Sequence, residues 1–480
     1  MEYEVVMGLE VHVELSTETK LFCSCSAKFG AEPNRHVCPA CMGMPGLPPI
    51  VNVNAIESGI KAGLLTNCEI SRYTTFDKKN YYYPDLPAGY QITQLFNPIC
   101  TNGRVDIGTP DGGRSIRIKQ IHIEEDAGKL VHDASDDASL VDYNRTGVPL
   151  VEIVSMPDFR SADEVVAYLE KLKALLSFGG VSDCRMQEGS MRADINISVR
   201  EKGDPELGTR TEMKNLNSLK AIKRAIEYES QRHIDALETG FEELVQETRR
   251  WDDGKNQSFS MRNKESVADY RYFPNAELAP IEITDEWIAR VRENMPEPAH
   301  EKYERYLSQY GLPEQDCRVL TTSKALTDAF DDTMKYCDLP KEAANWILVE
   351  LINLAKSDGK SADDISVSGE KLAKLIALVD KKAINRTVAK EILAEIYRND
   401  TDPEEYVEKN QLAMVTDENF LIETVEQALG ENPKSVAEYK AGNKKVVGFF
   451  MGVIMRKAGG KADPAIINAI LQRMLDEASG

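Results

Sequence analysis

Along the first half of the chain, apolar and polar residues alternate by twos. The stretches run from Tyr3 to Leu15, Ser115 to Ile123, Pro149 to Val154, Arg192 to Val199 and Thr209 to Met213. A period of two is the mark of a strand with one buried face. Two helices interrupt them. Ser161-Ala162-Asp163-Glu164 is a capping box that opens a helix to about Phe178, where Gly179-Gly180 stops it. Ser218 begins a second, longer helix that ends before Gly240. Alternating strands with few helices between them predict a mostly antiparallel α+β region.

The pattern changes after a stretch marked by Pro274, Pro280, Pro296 and Pro298. A period of 3.6 then dominates, over Ala343 to Leu354, Gly369 to Val379, Thr387 to Tyr397, Phe420 to Leu429 and Ala465 to Met474. The C-terminal part therefore reads as helices joined by short turns. A length of 480 residues is too much for one ordinary core, so two or three domains are expected. No apolar run approaches the roughly 18 residues of a membrane span. The acidic start, Met1-Glu2-Tyr3-Glu4, lacks the features of a signal peptide, which predicts a cytoplasmic protein.

In such a reducing compartment the nine cysteines do not form a disulfide framework. Four of them are paired, as Cys23-Ser24-Cys25 and Cys38-Pro39-Ala40-Cys41, twelve residues apart. Each pair suits two thiolates on one metal, and two pairs complete a tetrahedral sulfur site for structural Zn²⁺. Such a site contributes ~10–16 kcal/mol of apparent binding, enough to staple a loop with little core. Four ordinary reduced thiols are the alternative.

In residues 8–15, period two puts Glu10, His12 and Glu14 on one face and Val11, Val13 and Leu15 on the other. Arg192, Asp194, Asn196 and Ser198 likewise share a face. Glu152 stands alone among aliphatics, Glu212 lies between Thr211 and Met213, and Glu124-Glu125-Asp126 ends a strand. These faces are either solvated or, if they line one cavity, require cations. Carboxylates with an imidazole suit Mg²⁺, which commonly arrives with phosphate oxygens. Periodicity does not say which. The chain has no phosphate-binding P-loop, dinucleotide fingerprint, nucleophile elbow or H-E-x-x-H helix, so any nucleotide is held by other means.

The residues resemble one family closely: the B subunits of glutamyl/aspartyl-tRNA amidotransferases. The resemblance is carried by Gly8-Leu9-Glu10-Val11-His12-Val13-Glu14-Leu15, by residues 76–87 (Phe76-Asp77-Lys78-Lys79-Asn80 onward) with Gly89-Tyr90-Gln91-Ile92, and by His122-Ile123-Glu124-Glu125-Asp126-Ala127-Gly128-Lys129. It continues through Asp142-Tyr143-Asn144-Arg145-Thr146-Gly147, Glu188-Gly189-Ser190-Met191-Arg192-Ala193-Asp194, Lys214-Asn215-Leu216-Asn217-Ser218 and Asp269-Tyr270-Arg271-Tyr272-Phe273-Pro274. Gly448-Phe449-Phe450-Met451-Gly452 and Asp463-Pro464 are similar to the family's C-terminal domain. One departure is Asn275-Ala276-Glu277, where the family often has Glu-Pro-Asp. A related archaeal subunit carries an inserted domain for which this chain has no room.

The resemblance implies a cradle-shaped, mostly antiparallel β catalytic domain over 1–292 with a zinc knuckle at 23–41. A helical linker domain over 293–405 and a small helical tRNA-binding tail over 406–480 follow. It implies ATP and Mg²⁺ as cofactors beside structural Zn²⁺. His12, Glu125 and Glu152 would hold the main Mg²⁺, with Glu10, Asp194 and Glu212 lining a neighbouring cation and phosphate site. Arg192 either helps neutralise phosphate or pairs with Asp194. The implied reaction phosphorylates the side-chain carboxylate of a misacylated Glu-tRNA or Asp-tRNA and amidates it with ammonia. The chain shows no amidase signature, so ammonia is expected from a glutaminase A subunit, with a small C subunit completing a heterotrimer.

The formal charge of −21 excludes a generally sticky nucleic-acid binder. Residues 441–480 differ: Lys444, Lys445, Arg456, Lys457, Lys461 and Arg473 stand against Asp463, Asp476 and Glu477. Such a local patch suits tRNA phosphates, and an ordinary solvated helix surface is the plainer reading. Phe449, Phe450 and Met451 are expected in the tail's core. Two other functions remain open: a non-catalytic zinc-stapled tRNA scaffold, and a self-contained ligase acting on a free amino acid.

Overall fold

A computed structural model describes residues 2–109, 112–132, 139–263, 270–414, 418–440, 443–458, 462 and 464–477. It divides into two units, Met1–Pro298 and Ala299–Gly480. The first is α+β and the second is helical throughout its described residues.

The first unit runs β1 (Tyr3–Glu14), α1 (Val53–Leu65), β2 (Glu69–Ile70), β3 (Tyr73–Thr74), β4 (Asp77–Asn80), β5 (Tyr90–Thr93), β6 (Cys100–Thr109) and β7 (Gly112–Glu125). It continues with β8 (Lys129–His132), β9 (Ser139–Asp142), β10 (Pro149–Ser155), α2 (Ala162–Phe178), β11 (Met191–Glu201), β12 (Thr211–Lys214) and α3 (Leu219–Thr239). Strands β13 (Glu247–Asp252), β14 (Gln257–Asn263), β15 (Phe273–Pro274) and β16 (Ile281–Glu282) and helix α4 (Asp285–Glu293) complete it. Nine strands form one sheet in the order β14-β13-β12-β11-β1-β10-β7-β6-β2. Every pairing in it is antiparallel except β12 with β13, which α3 connects.

The alternation expected from the sequence is realised. Met7, Leu9, Val11 and Val13 of β1 are buried in one core with Ile121 and Ile123 of β7, Ile153 of β10 and Ile195 of β11. Helices α1, α2 and α3 pack into the same core, through residues such as Ile56, Leu172 and Ile222. The polar residues of the same strands are left on the opposite face, where the site forms.

Ser161 caps α2 as expected, accepting from Glu164 N at 3.2 Å. The reciprocal half of the box differs, because the Glu164 carboxylate accepts from Arg160 N, one residue before the cap. Ser218 caps α3, and Gly240 ends it at φ +64°. The sequence pattern predicts two helices here, and α1 and α4 are additions. Helix α1 is hidden by Gly59 and Gly63, poor helix formers that periodicity discounts. Their role is close approach: a Cβ at Gly63 would lie 2.4 Å from Cys100 Sγ, and one at Gly59 would lie 2.9 Å from Ile99 and Ile123.

In the second unit, residues Pro340–Asn345, Trp346–Leu351 and Ile352–Ser357 form one continuous helical run, its middle turn widened to a π-helix. Trp346, Ile347 and Leu351 from that turn sit in a core with Tyr306, Phe330 and Leu375. A separate core gathers Leu421, Val425, Phe450, Ile454, Ile467 and Leu471.

Candidate active site and metal centres

Four polar side chains stand in one row across the middle of the sheet. His122 of β7 faces Glu152 of β10, Glu152 faces His12 of β1, and His12 faces Arg192 of β11. Glu124 lies on the same face of β7 as His122, two residues along. The ligand atoms of His12, Glu124 and Glu152 lie within 4.8 Å of one another. His12 Nε2 is 3.7 Å from Glu124 and 3.6 Å from Glu152, and His122 Nε2 is 2.8 Å from Glu152.

The charges in this group depend on each other. Burial works against a charged His122, yet Glu152 and Glu124 outweigh it and push the imidazole up to about 10. His12 is raised against burial in the same way. Burial also opposes the Glu152 carboxylate, but the two imidazoles hold it well below the usual carboxylate range. A buried Glu124 beside a partly exposed Glu152 fits a hard divalent cation, and two carboxylates plus an imidazole are a suitable donor set.

The resemblance placed Glu125 in this group. The structure brings Glu124 there instead. Consecutive strand residues point to opposite faces, and Glu125 points away: its Oε1 accepts from Ile92 N at 2.9 Å. It lines a cavity with Lys20, Cys23, Cys41 and Gly147. Burial pushes its carboxyl up to about 7, against the opposing hydrogen bond from Ile92.

Glu10, Asp194 and Glu212 do share the polar face, beside the first group. Glu10 is opposite Asp194, and Glu212 is opposite Asn196. Lys214 joins them: its ammonium donates to Asp194 and lies 3.3 Å from Glu212. Burial opposes the Lys214 charge, but Asp194, Glu212 and Glu10 raise it above its ordinary value. Asn196 Nδ2 donates to Glu10 at 3.0 Å.

Arg192 takes a partner the sequence did not suggest. Its Nη2 donates to Asp126 Oδ2 at 2.7 Å, and Nη1 is 3.8 Å from Glu14. Arg192 and Arg145 outweigh burial and lower Asp126, whereas burial and Asp126 push Glu14 up to about 8. Glu14, Arg145, Arg192, Lys28 and Lys129 line a cavity of about 820 Å³ on this side of the sheet. Lys79 of β4 sits 4.8 Å from the centre of the Tyr270 ring. Burial opposes its charge, and Glu124, Tyr272 and Glu152 more than offset that.

His122, Glu124, Asp126, Arg145, Lys79 and Lys214 had no role assigned from sequence. The signal that could have found the first two was strand parity: His122 and Glu124 alternate with Ile121 and Ile123. Lys79 and Arg145 come from other segments, so only the fold brings them in.

Cys23, Cys25, Cys38 and Cys41 converge, their sulfurs within 4.8 Å of one another. Cys38 N donates to Cys41 Sγ at 3.2 Å, and Met42 N to Cys38 O at 3.1 Å, which is the tight turn a C-x-x-C pair needs. Gly43 follows at φ +68°, and a Cβ there would meet Ala88 at 2.8 Å. A hydrogen bond shared with Cys23 holds the Cys41 thiol down to about 5 and pushes Cys23 far up. Four sulfurs brought together from two tight pairs fit a tetrahedral soft-metal site.

In the tail, Lys444, Lys445, Arg456 and Lys457 are exposed, and Lys461 lies outside the described residues. Lys457 pairs with Glu431 at 2.8 Å. Phe450 is buried and Met451 packs against the core, but Phe449 is 49% exposed. Among the described residues, no helix is long and apolar enough to cross a membrane.

A model of the GatB/GatE catalytic domain matches residues 5–289, and one of the GatB domain matches 328–475. The chain therefore belongs to the GatB/GatE family of amidotransferase subunits. Within that family it is of the GatB type, similar over its whole length to the B subunit of the aspartyl/glutamyl-tRNA(Asn/Gln) amidotransferase in several bacteria. It is 52% identical to that of Lachnoclostridium phytofermentans over 476 residues, covering 99% of each chain. It is 52% identical to that of Agathobacter rectalis over 98% of this chain and 99% of the relative, and 46% identical to that of Thermodesulfovibrio yellowstonii over 99% and 100%.

Proposed function

We propose that this chain activates the side-chain carboxylate of Asp or Glu misacylated onto tRNA, using ATP, so that ammonia converts it to the amide. The reading rests on the convergence of His12, Glu124 and Glu152 from three strands. These three residues would hold Mg²⁺, which when bound supplies charge neutralisation to phosphoryl oxygens. His122 keeps Glu152 ionised and aimed at that position through its 2.8 Å contact. Glu10, Asp194 and Glu212 line the adjoining cation and phosphate site, and Lys214 keeps that acidic cluster from repelling the nucleotide.

A carboxylate is a poor acyl donor because oxide would have to leave. Attack of its oxygen on the γ-phosphorus of ATP releases ADP and leaves an acyl phosphate. Ammonia then adds at the acyl carbon and phosphate departs with the C–O electron pair. The cavity lined by Arg192 and Arg145 offers space and two guanidinium groups for these anions. The chain works with a glutaminase A subunit that supplies ammonia and a small C subunit. The four cysteines hold structural Zn²⁺. Lys444, Lys445 and Arg456 contact tRNA phosphates.

The test uses the chain reconstituted with its A and C partners, misacylated Glu-tRNA, ATP, Mg²⁺ and ammonium. Wild type forms Gln-tRNA and ADP, and Glu124→Gln loses both while Glu125→Gln retains them. Equal activity of Glu124→Gln and wild type would overturn the site and favour a non-catalytic scaffold.

A further inference from the structure

Lys20 is fully buried, 0% exposed, beside the four cysteines. A buried ammonium costs several kcal/mol unless it is paired. Its Nζ donates to Cys41 Sγ at 3.7 Å and to Tyr143 O at 3.3 Å. Lys20, Cys41 and Glu125 border one another around Gly147, which sits at φ +79°: a Cβ there would make ordinary contacts, 3.6 Å with Lys20 Cδ, 3.7 Å with Cys41 Cβ and 3.8 Å with Glu125 Oε2.

A divalent ion on four thiolates leaves a surplus of two negative charges. Cys23 and Cys41 are only partly exposed, so solvent does not fully screen that surplus. A cation hydrogen-bonded to one sulfur lowers the cost of assembling it, and it also withdraws electron density from that sulfur.

We propose that Lys20 is the charge-balancing residue of the four-cysteine site: its buried ammonium, held on Cys41 Sγ, offsets part of the surplus charge and sets the site's affinity for a divalent metal. The inference rests on reading the cysteines as a zinc site. It makes Lys20 a positioning residue and not a ligand. The rival arrangement is that Lys20 serves the Glu125 carboxylate alone and is indifferent to metal.

The experiment uses the full-length chain, stripped of metal under reducing conditions and titrated with Zn²⁺ against a chromophoric chelator. A parallel titration with Co²⁺ reads the sulfur-to-metal charge-transfer absorption. Wild type takes one ion per chain with a tetrahedral sulfur spectrum. Lys20→Met keeps the volume and removes the charge; it weakens Zn²⁺ binding roughly tenfold or more and moves the charge-transfer band to longer wavelength. Lys20→Arg stays within about threefold of wild type, since the charge is retained. Glu125→Gln binds as tightly as wild type or tighter.

Unchanged affinity and spectrum in Lys20→Met overturn the proposal. So does a Glu125→Gln variant that weakens binding as much as Lys20→Met, because the lysine then acts through the carboxylate. If Lys20→Met fails to fold while metal-free wild type stays folded by circular dichroism, the role of Lys20 is independent of metal and the proposal also falls. A wild type that binds no metal removes the zinc reading itself, a result distinct from all of these.

Discussion

Glu124 and Glu125 are neighbours in sequence and look in opposite directions: Glu124 Oε2 accepts from Thr93 Oγ1 at 3.0 Å, and Glu125 Oε1 accepts from Ile92 N at 2.9 Å. One strand, β5, therefore anchors both carboxylates through consecutive residues. Glu124 is left beside His12 and Glu152, and Glu125 beside Lys20 and the cysteine loop.

This parity is open to a binding measurement that does not depend on turnover. Mn²⁺, a paramagnetic stand-in for Mg²⁺, is titrated into the full chain and free ion is read by electron paramagnetic resonance. Glu124→Gln is expected to weaken the site roughly tenfold or more, since an anionic oxygen is lost from a hard-cation donor set. Glu125→Gln is expected to leave it unchanged. The reverse order would place the cation on the other face of the strand.

Gly63 provides a test in which two effects have opposite signs. Replacing a helical glycine with alanine ordinarily stabilises by about 1 kcal/mol. Here the new methyl would lie 2.4 Å from the fully buried Cys100 sulfur. Overpacking of that kind costs roughly 1–3 kcal/mol. The expected result of Gly63→Ala is a lower urea midpoint, and a raised midpoint would mean that α1 shifts freely on the sheet.

A buried polar cluster on α3 gives a pH dependence. Glu229 is fully buried, with Arg232 Nη2 at 2.6 Å, Ser258 Oγ at 2.7 Å and His233 Nε2 at 3.4 Å. Burial opposes its charge, but these partners hold it down to about 2 from an ordinary 4.5. A carboxyl lowered on folding adds stability above its unfolded value and loses it as pH falls towards the folded one. That is ~3 kcal/mol at neutral pH, fading from about pH 5 downwards. Wild type should therefore lead Glu229→Gln in urea midpoint at pH 7, keep most of that lead at pH 4 and approach the variant only towards pH 2. A constant gap would show that shape, not charge, sets the difference.

For the tail, Lys444→Ala with Lys445→Ala should weaken tRNA binding and flatten its salt dependence by up to about two units of slope. Lys457→Ala should do less, because that ammonium is already paired with Glu431. Filter binding over a range of salt concentrations reads both effects. Equal slopes for wild type and the double variant would remove Lys444 and Lys445 from the interface.

How much of the site was legible varies with the kind of argument. The shared face of Glu10, His12 and Glu14, and that of Arg192, Asp194 and Asn196, follows from period two and is realised in β1 and β11. The helix caps at Ser161 and Ser218 follow from local chemistry. That Glu124 and not Glu125 shares the face of His122 was equally local, since parity with Ile121 and Ile123 decides it.

Pairing across strands is different. Arg192 could be placed on a face but not given Asp126 as a partner, because Asp126 is 66 residues away in sequence. No local pattern marks Lys20. Its contacts with Cys41 and Tyr143 are made by the fold.

By itself the sequence determined the α+β class, the alternating strands, the paired cysteines and the helical C-terminal part, because each rests on periodicity or on spacing within a few residues. Only the tertiary structure decided which strands meet around His12, what lies beside Arg192 and Lys20, and why α1 carries glycines. Those depend on strand order and on the close approach of segments far apart in the chain, and no local period encodes either.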